Sequence, residues 1–438
     1  MRNPKKHLSC DSLIRGLRQF LSGIGDGRKK DQVKYSIEDI GTTIFACMFL
    51  QDPSLLAFQK RMQEKGELSN FQTIFKVGNI PEATQLREVM DKIPSESIQP
   101  YFDEVFKRLQ RGKHLEQFQN FKGKYLVSID GTQYFSSRDI SCSHCLKKEK
   151  NDIPTYSHQA LQAALVSPNM KQAIPLMAED IRNEDGKTKQ DCEINAAKRL
   201  IPALRKQHPQ LDIVLLGDSL FSKHPTLEIL KDKKKSFILG AKPGDHKYMF
   251  SWIKDFSGKS ELVKKQKDGR VLVYSWANGI HLCGRKDAYS VNFFQLEMHT
   301  PDKKTGKLKR TFRSSWVTDF TLSENNIEKL TKAARSRWKI ENECFNNLKN
   351  QGYHLEHNFG HGNKHLAFNV YLLTLLAFLF HQVFELTDDL YITARERWSL
   401  RMLWENIRGA VKYLVFQSWH QLMVHCLHPP EIPSPIRV

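Results

Sequence analysis

The sequence has no apolar run long enough to cross a lipid bilayer. Its most apolar stretch, residues 367–380, includes Asn369 and Thr374 and is shorter than the roughly 20 residues that a spanning helix needs. The basic start MRNPKKHLSC is not followed by the apolar segment of a secretory signal. We therefore expect a cytoplasmic protein with no membrane partner, and we interpret residues 367–380 as a buried core helix.

Cysteine is scarce, and three common catalytic motifs are missing. Eight cysteines among 438 residues are too few for a disulfide framework and are typical of a reducing compartment. The motifs GxxxxGK[ST], GxSxG and HExxH do not occur. These absences argue against a P-loop nucleotide hydrolase, a serine hydrolase of the nucleophile-elbow type and a zincin protease.

Acidic residues are outnumbered by basic ones. The chain has 67 Lys and Arg against 48 Asp and Glu, which gives a formal charge of +19. Residues 1–34 hold nine basic and three acidic residues, residues 231–270 twelve and five, and residues 300–315 six and one. This excess is larger than solubility requires and favours a polyanionic partner, with nucleic acid the leading candidate.

The order of local patterns predicts an α/β (α+β) fold. Apolar and β-branched runs predict strands in KYLVSIDGTQYF, HQALQAALVSP, QAIPLMAEDI, LDIVLLGDSLFSK and FILGAKPGDH, with a helix before the fourth strand. This order indicates a mixed sheet flanked by helices. The predicted parts are a basic flexible N-terminal segment at 1–34, a helical bundle at 35–115, a core at 120–240 and 325–386, a β-rich insertion at 241–322 and a C-terminal helical region at 387–438.

Two carboxylates follow apolar strands. Asp130 comes at the end of YLVSID and precedes Gly131, and Asp218 follows VLLG. A side chain at the end of a strand is exposed where ligands reach a sheet. Clustered carboxylates are ligands for hard cations such as Mg²⁺, and two such ions can catalyse phosphoryl transfer. The two residues therefore predict a metal site that a third carboxylate would complete.

A candidate for the third carboxylate lies on the helix predicted in SRWKIENECFNNLKN, residues 336–350. At about 100° per residue, Arg337 and Glu341 lie about 40° apart, and Lys349 shares with them an arc of about 120°. Glu343 falls about 160° from Glu341. The phase favours Glu341, although Arg and Glu four residues apart also form ordinary surface pairs.

The segments SIDGTQ, VLLGDS and RWKIENECFNNLK together resemble the DDE transposases of bacterial insertion sequences, over residues 120–385. The third segment contains the Arg-Trp-x-Ile-Glu run of that group. The resemblance implies an RNase H-like catalytic core with a β-rich insertion before the catalytic Glu helix. It implies Asp130, Asp218 and Glu341 as the catalytic triad that binds Mg²⁺, for which Mn²⁺ can substitute. It also implies Arg337 and Lys349 as contacts to DNA.

Further DNA contacts are expected from Arg87 in the helical bundle, from Lys223 after the second Asp, and from His361. The bundle is expected either to bind DNA or to be a structural support. His361 belongs to a Gly-broken loop, where phosphate contacts or a polar network are expected. The partners implied are double-stranded DNA, as terminal inverted repeats and target, bound by a homodimer in the bacterial nucleoid.

The sequence departs from the family pattern at two places. Ala334 stands where the group usually has Tyr, three residues before the Arg. Lys349 is eight residues after Glu341, whereas the group usually has Lys after seven. The second departure leaves Glu343 as an alternative third ligand. Trp338 is expected to pack in the core.

A short cysteine motif suggests a second metal site. Cys142 and Cys145 in SCSHC have the spacing of a zinc knuckle, with His144, His158 and Cys192 as further candidate ligands. A single CxxC is weak support, and free thiols packed in a reduced protein would have the same sequence. The sequence leaves a structural Zn²⁺ site and buried thiols as alternatives.

These observations lead us to expect a transposase that cuts DNA at transposon ends and joins the ends to target DNA. In the insertion, Trp252, Trp276 and Trp316 are candidates for stacking on a flipped base. Two other functions fit the same residues. One is a metal-dependent nuclease that cuts without joining, and the other is a DNA-binding remnant that has lost catalysis.

Overall fold

The fold is described from a computed structural model of the chain. It describes residues 4–29, 31, 33–63, 69–183, 191–233, 236–285, 288–302 and 304–430. Over these residues the protein has a mixed α/β fold, in which helices pack against a ten-stranded sheet. The predicted fold class, a mixed sheet flanked by helices, is confirmed.

A helical region precedes the first strand. Its α-helices are α1 Cys10–Ser22, α2 Ile37–Phe49, α3 Leu55–Gln63, α4 Asn70–Ile74, α5 Ala83–Met90 and α6 Pro100–Arg111. The hydroxyl of Ser36 accepts a hydrogen bond from the N–H of Asp39 at 3.0 Å and caps the start of α2.

The N-terminal residues form a packed helix, which corrects the prediction of a flexible segment at 1–34. Ser9 caps α1, and Leu13 and Leu17 on one face of the helix are completely buried. The hydroxyl of Tyr101 on α6 donates to the carbonyl of Leu13 at 2.7 Å. Only two of the basic residues of this segment, Arg15 and Arg18, belong to α1, and the basic sequence around the helix concealed its apolar spacing.

The central sheet carries the carboxylates. Its strands are β1 Tyr125–Ser137, β2 Leu146–Lys150, β3 Ile153–Val166, β4 Ile174–Ile181, β5 Ile213–Gly217 and β6 Ser236–Gly240. Strands β4, β3, β1, β5 and β6 are neighbours in that order, with β1, β5 and β6 parallel to one another and β3 antiparallel to β1. Helices α7 Glu193–Gln207 and α8 His224–Asp232 connect the later strands.

The insertion extends this sheet. It consists of α9 Lys247–Lys254, β7 Ser260–Lys265, β8 Val271–His281, β9 Ser290–Pro301 and β10 Leu308–Thr318. The insertion is rich in β-strands, as predicted; its strands are antiparallel, and β10 pairs with β6, so the insertion and the core share one sheet. Helix α9 was not predicted.

The remaining residues are mainly helical. They form α10 Ile327–Arg335, a π-helical segment Ile340–Phe345, α11 Asn346–Asn350, α12 Leu366–Thr387, α13 Asp389–Arg397, α14 Leu400–Tyr413 and α15 Trp419–Leu427. The sequence predicted a helical region at 387–438, and the described residues of that region contain three helices.

Helix α12 occupies the middle of the protein. Among the described residues it alone is long and apolar enough to cross a membrane, but 94% of its most apolar window is buried inside the protein. It packs against α2 on one side and against β4 on the other. The prediction of a buried core helix here is confirmed.

Candidate functional site

Asp130 and Asp218 lie at the same end of two neighbouring parallel strands. β1 pairs with β5 from Tyr125 to Ser128, and Asp218 directly follows β5. β1 does not end at Asp130, as the sequence suggested, because its pairing with β3 continues to Ser137. Asp130 is therefore just beyond the last residue paired with β5, where the sheet opens and a carboxylate becomes accessible.

The segment that contains Arg337 and Glu341 crosses this end of the sheet. The hydroxyl of Ser128 donates to the carbonyl of Arg337 at 3.2 Å. Nη1 of Arg337 donates to Oε1 of Glu341 at 2.6 Å and to Oδ2 of Asp130 at 3.3 Å. The side chains of Arg337 and Asp130 are only 14% and 17% exposed. One guanidinium thus bridges two of the predicted catalytic carboxylates.

Asp218, the third predicted carboxylate, acts electrostatically on Asp130. Burial raises the pKa of Asp130 to about 7; the charges of Glu341 and Asp218 add to this rise, and Arg337 opposes it. Arg337 supplies one positive charge to three acidic side chains. A divalent cation would remove the remaining repulsion, so the donor set fits Mg²⁺, which prefers carboxylate oxygens.

The helix of Glu341 contains a π-helical turn. The N–H of Asn346 donates to the carbonyl of Glu341, five residues earlier, where an α-helix would bond four residues apart. Such a turn contains one extra residue. Because of this residue, two helical turns after Glu341 take eight residues and end at Lys349. In a regular α-helix, two turns take about seven residues and would bring a side chain to the same face. The extra residue accounts for the unusual spacing between Glu341 and Lys349.

Glu343 lies away from this cluster. It lines an open cleft of about 590 Å³ together with Trp338, Lys339 and other residues, and neither Asp130 nor Glu341 lines that cleft. Trp338 is 55% exposed, which corrects the prediction that it packs in the core. The core position next to it is filled by Ile340, which is completely buried.

Glu193 is near the cluster and was not identified from the sequence. It is the first residue of α7, and a Cβ atom on Gly131 would lie 2.5 Å from its Cδ atom. Burial raises the pKa of Glu193, and the charge of Asp218 adds to that rise. An acidic residue at the start of a helix that follows a strand was the available signal, but the sequence did not say which strand end it would approach.

The other residues predicted to bind DNA have partners within the protein or lie near the cluster. Nζ of Lys349 pairs with Oε1 of Glu356 at 2.8 Å. Nε of Arg87 on α5 donates to the carbonyl of Phe359 at 2.8 Å, which joins the N-terminal helices to the loop after α11. Lys223 precedes α8, at the end of the turn that follows Asp218.

Four Cys and His side chains form a second cluster, which could hold a metal ion. The ligand atoms of Cys142, Cys145, His158 and His361 all lie within 4.8 Å of one another. The Sγ atoms of the two cysteines are 3.8 Å apart, and Nε2 of His158 is 3.6 Å from Cys142 and 3.4 Å from Cys145. Nε2 of His361 is 3.3 Å from Cys145 and 3.1 Å from His158. We call these four residues the Cys/His cluster.

Of the five candidate zinc ligands in the sequence, His144 lies outside the Cys/His cluster, with its Nδ1 3.4 Å from the carbonyl oxygen of Asn183. Three of the five belong to the cluster. Cys192 is not among them, since it is exposed and precedes helix α7. Its place is taken by His361, which we had expected to contact DNA. Hydrogen bonding, first with Cys145 and then with His158 and His361, lowers the pKa of the Cys142 thiol and favours the thiolate that metals bind.

Two of the three candidate tryptophans in the insertion are buried and so cannot stack on a base. Trp276 and Trp316 are buried, and Trp316 stacks on Phe294 with ring centroids 5.2 Å apart. Trp252 is 38% exposed and stacks on Phe256 at 4.5 Å. The most exposed tryptophan described is instead Trp338, next to Arg337.

Comparison with the models of known protein families found no match, and a search of curated proteins found no matching protein. The functional interpretation therefore depends on the geometry of the two clusters and on the resemblance of the three sequence segments.

Proposed function

We propose that the protein is a DNA transposase that cleaves DNA at transposon ends and joins the ends to target DNA. The observation that carries the proposal is the contact of Asp130 and Glu341, which are far apart in the sequence, with the guanidinium of Arg337, while the charge of Asp218 acts on Asp130. This is the triad that the resemblance implies. Its position at the carboxyl ends of parallel strands suits a ligand that approaches the sheet from outside.

Mg²⁺ ions bound by Asp130, Asp218 and Glu341, or Mn²⁺ in their place, would activate the attacking oxygen and stabilise the leaving oxygen of a phosphodiester. In the first step water would attack phosphorus and release a 3′-hydroxyl. In the second, that hydroxyl would attack a target phosphodiester and displace another 3′-oxygen. Arg337 would keep Asp130 and Glu341 in a fixed relative position before DNA arrives, which reduces the cost of assembling the site.

Charge and exposed side chains near the triad support DNA as the substrate. The cleft beside the helix of Glu341 is lined by Lys332, Arg335 and Lys339, and by the exposed ring of Trp338. Cations bind phosphates and aromatic rings stack on bases, so this lining suits a nucleic-acid strand. The overall charge of +19 favours the same partner. Binding by a homodimer that holds two ends at once is part of the proposal.

A strand-transfer assay tests the proposal. The DNA that flanks the gene supplies the labelled end, and the full chain is incubated with it and a target plasmid in Mg²⁺. Joined product supports transposition. Nicks without joining indicate the alternative nuclease, and binding without cleavage indicates a decayed DNA-binding protein.

Two glutamates on one helix provide a matched control. Glu341→Gln is expected to abolish cleavage and to leave DNA binding largely intact, as are Asp130→Asn and Asp218→Asn. Glu343→Gln removes the same charge from a residue that lines the neighbouring cleft, and it should retain cleavage. Loss of cleavage in the Glu343 variant with activity in the Glu341 variant would overturn the assignment of the triad.

For the Cys/His cluster, the metal we propose is Zn²⁺ in a structural role. With Zn–S about 2.3 Å and Zn–N about 2.0–2.1 Å, a tetrahedral site has ligand separations of about 3.8 Å for S–S, 3.6 Å for S–N and 3.4 Å for N–N. The separations of 3.8 Å between the sulfurs, 3.3–3.6 Å between sulfur and nitrogen and 3.1 Å between the nitrogens agree with this geometry. Four protein ligands also leave no open position, as in structural zinc sites.

A further inference from the structure

The Cys/His cluster joins parts of the chain that are distant in the sequence. Cys142 and Cys145 lie between β1 and β2, His158 lies on β3, and His361 lies in the loop between α11 and α12. β1 carries Asp130, and the loop follows the helix that carries Glu341. An ion at the cluster would therefore connect the two elements that supply Asp130 and Glu341.

The Cys/His cluster is too far from the carboxylates to take part in chemistry. On β1, Phe135 pairs with His158 and Asp130 is five residues earlier, which corresponds to roughly 16 Å along a strand. An ion at the cluster cannot share a phosphate with Asp130 at that separation. Any effect of the ion on the triad must act through the packing between them.

A buried series of side chains leads from the cluster to the helix of Glu341. The ring of His158 stacks on Tyr134 with centroids 5.9 Å apart, and Tyr134 stacks on Tyr371 of α12 at 4.8 Å. The hydroxyl of Tyr371 donates to Oε1 of Gln162 at 2.7 Å. Nε2 of Gln162 donates to Sγ of Cys344, in the π-helical segment, at 3.1 Å.

All of these groups are almost inaccessible to solvent. Gln162 and Cys344 are completely buried, Tyr371 is 1% exposed, and Tyr134 and His158 are each 5% exposed. If the buried amide of Gln162 lost its bond to Tyr371 or to Cys344, one of its polar atoms would be left without a partner. Other arrangements of these side chains would therefore cost free energy. The position of Cys344, three residues after Glu341, is thus tied to the ring of a metal ligand.

A second connection runs through the loop itself. The N–H of Leu355 donates to the carbonyl of Leu348 on α11 at 3.1 Å, which holds the start of the loop to the catalytic helix. The residues just after His361 are held by Asp91. Its carboxylate accepts hydrogen bonds from the four consecutive backbone N–H groups of residues 363–366, each at 3.0 Å. His361 is therefore held between the catalytic helix and the N-terminal helices, and a metal bond at this residue would fix the loop to the sheet.

From these two connections we infer that the ion of the Cys/His cluster positions the catalytic triad. It fastens the loop after α11 to strands β1 and β3 and thereby fixes the helix of Glu341 relative to Asp130. The inference rests on the proposed function for the role of the triad and on the proposed zinc for the identity of the ion. Cys142, Cys145, His158 and His361 act as positioning residues, since none of them reaches the reacting atoms.

The test compares the zinc-loaded full chain with the same chain after removal of zinc by a chelator and after zinc is returned. Metal content is measured by mass spectrometry, and backbone mobility by hydrogen exchange over residues 340–366. Binding of Mn²⁺ to the carboxylates is measured by electron paramagnetic resonance, which does not require catalysis. We expect one zinc per chain, faster exchange over residues 340–366 without it, and Mn²⁺ affinity about tenfold weaker. Returning zinc should restore both.

Substitutions refine the test. Cys145→Ser removes a ligand of the cluster and should reproduce the chelated state, whereas Cys192→Ser makes the same change at an exposed cysteine outside the cluster and should behave as the wild type. Gln162→Met should retain zinc but show faster exchange over residues 340–350, because it breaks the bond to Cys344. If Cys145→Ser does not fold, the chelated wild type carries the comparison.

The outcomes are distinct. A wild-type chain without stoichiometric zinc would overturn the inference. So would a chain that loses zinc with unchanged exchange over residues 340–350 and unchanged Mn²⁺ affinity. If the proposed function is wrong, the results differ: the chain does not cleave DNA, and the substitution Asp130→Asn does not change its affinity for Mn²⁺. In that case hydrogen exchange still decides whether the ion fixes the helix.

Discussion

Nη1 of Arg337 lies 2.6 Å from Oε1 of Glu341, one helical turn further along the chain. The same atom lies 3.3 Å from Oδ2 of Asp130, and this second contact distinguishes the pair from an ordinary surface ion pair. Arg337 is largely buried, so its charge is poorly screened by water.

Replacement of Arg337 by Gln should weaken both stability and cleavage. Asp130 and Glu341 would lose their shared donor; Asp130, with a pKa of about 7, would then take up a proton, so the cost should be that of a buried polar group without its partner, about 1–3 kcal/mol. Urea unfolding measures the free energy of unfolding. Arg335→Gln is the control, because Arg335 lies over the ring of Phe312 instead of the carboxylates. Equal losses of stability in the two variants would contradict the prediction.

Replacement of Gly131 by Ala should destabilise the protein through contact with Glu193. The added methyl group would overlap the Glu193 carboxylate, which ends a flexible side chain and can move aside, so the cost should lie at or below the low end of the about 1–3 kcal/mol typical of overpacking. Glu193→Ala removes the carboxylate, so the double variant Gly131→Ala/Glu193→Ala should recover most of the loss. The double-mutant cycle is measured by thermal or urea unfolding, and additive effects of the two substitutions would show that the residues do not interact.

Deletion of Asn342 should be tolerated better than a deletion in a regular helix. The π-helical turn at residues 340–345 contains one extra residue, so its removal would leave an α-helical turn with both flanks in phase. We expect the deletion to cost less than about 1.5 kcal/mol, within the range of ordinary substitutions. Deletion of Lys198 from α7 is the control, because it rotates the buried face of that helix. Similar unfolding free energies for the two deletions would argue against the bulge.

His381 should make the protein less stable as the pH falls. Burial lowers the pKa of His381 well below its usual value, while in the unfolded chain a histidine titrates near about 6.5. Below that pH the unfolded chain gains a proton that the native protein cannot accept, so the stability present above about pH 6.5 declines as the pH decreases through that value. His381→Phe should remove at most about 1.4 kcal/mol per pH unit from the slope.

Urea unfolding between pH 7.5 and 5 measures that slope. His420→Gln provides the control, since His420 is exposed, and its slope should equal that of the wild type. A wild-type slope that His381→Phe leaves unchanged would show that other groups account for the loss of stability in acid.

Much of the core was predictable because its signals are local. The runs YLVSI and VLLG are mostly apolar over the length of a strand, and the residues that follow them are Asp130 and Asp218, so local pattern alone puts both carboxylates on strand ends. The phase between Arg337 and Glu341 depends on four residues of helix and was also predictable. Amphipathic α1 was missed because the basic residues that flank it dominate the composition of residues 1–34, although its apolar residues recur at helical spacing.

By itself, the sequence determined the strands, the candidate carboxylates and two cysteines at a metal-binding spacing, since each depends on residues close together in the chain. Only the tertiary structure decided that His361 joins Cys142, Cys145 and His158, that Glu193 approaches Gly131, and that Trp338 is exposed. Contacts between distant segments depend on how elements pack and on where a π-helical turn shifts the phase of a helix. No local sequence pattern predicts the packing of distant elements or the position of a π-helical turn.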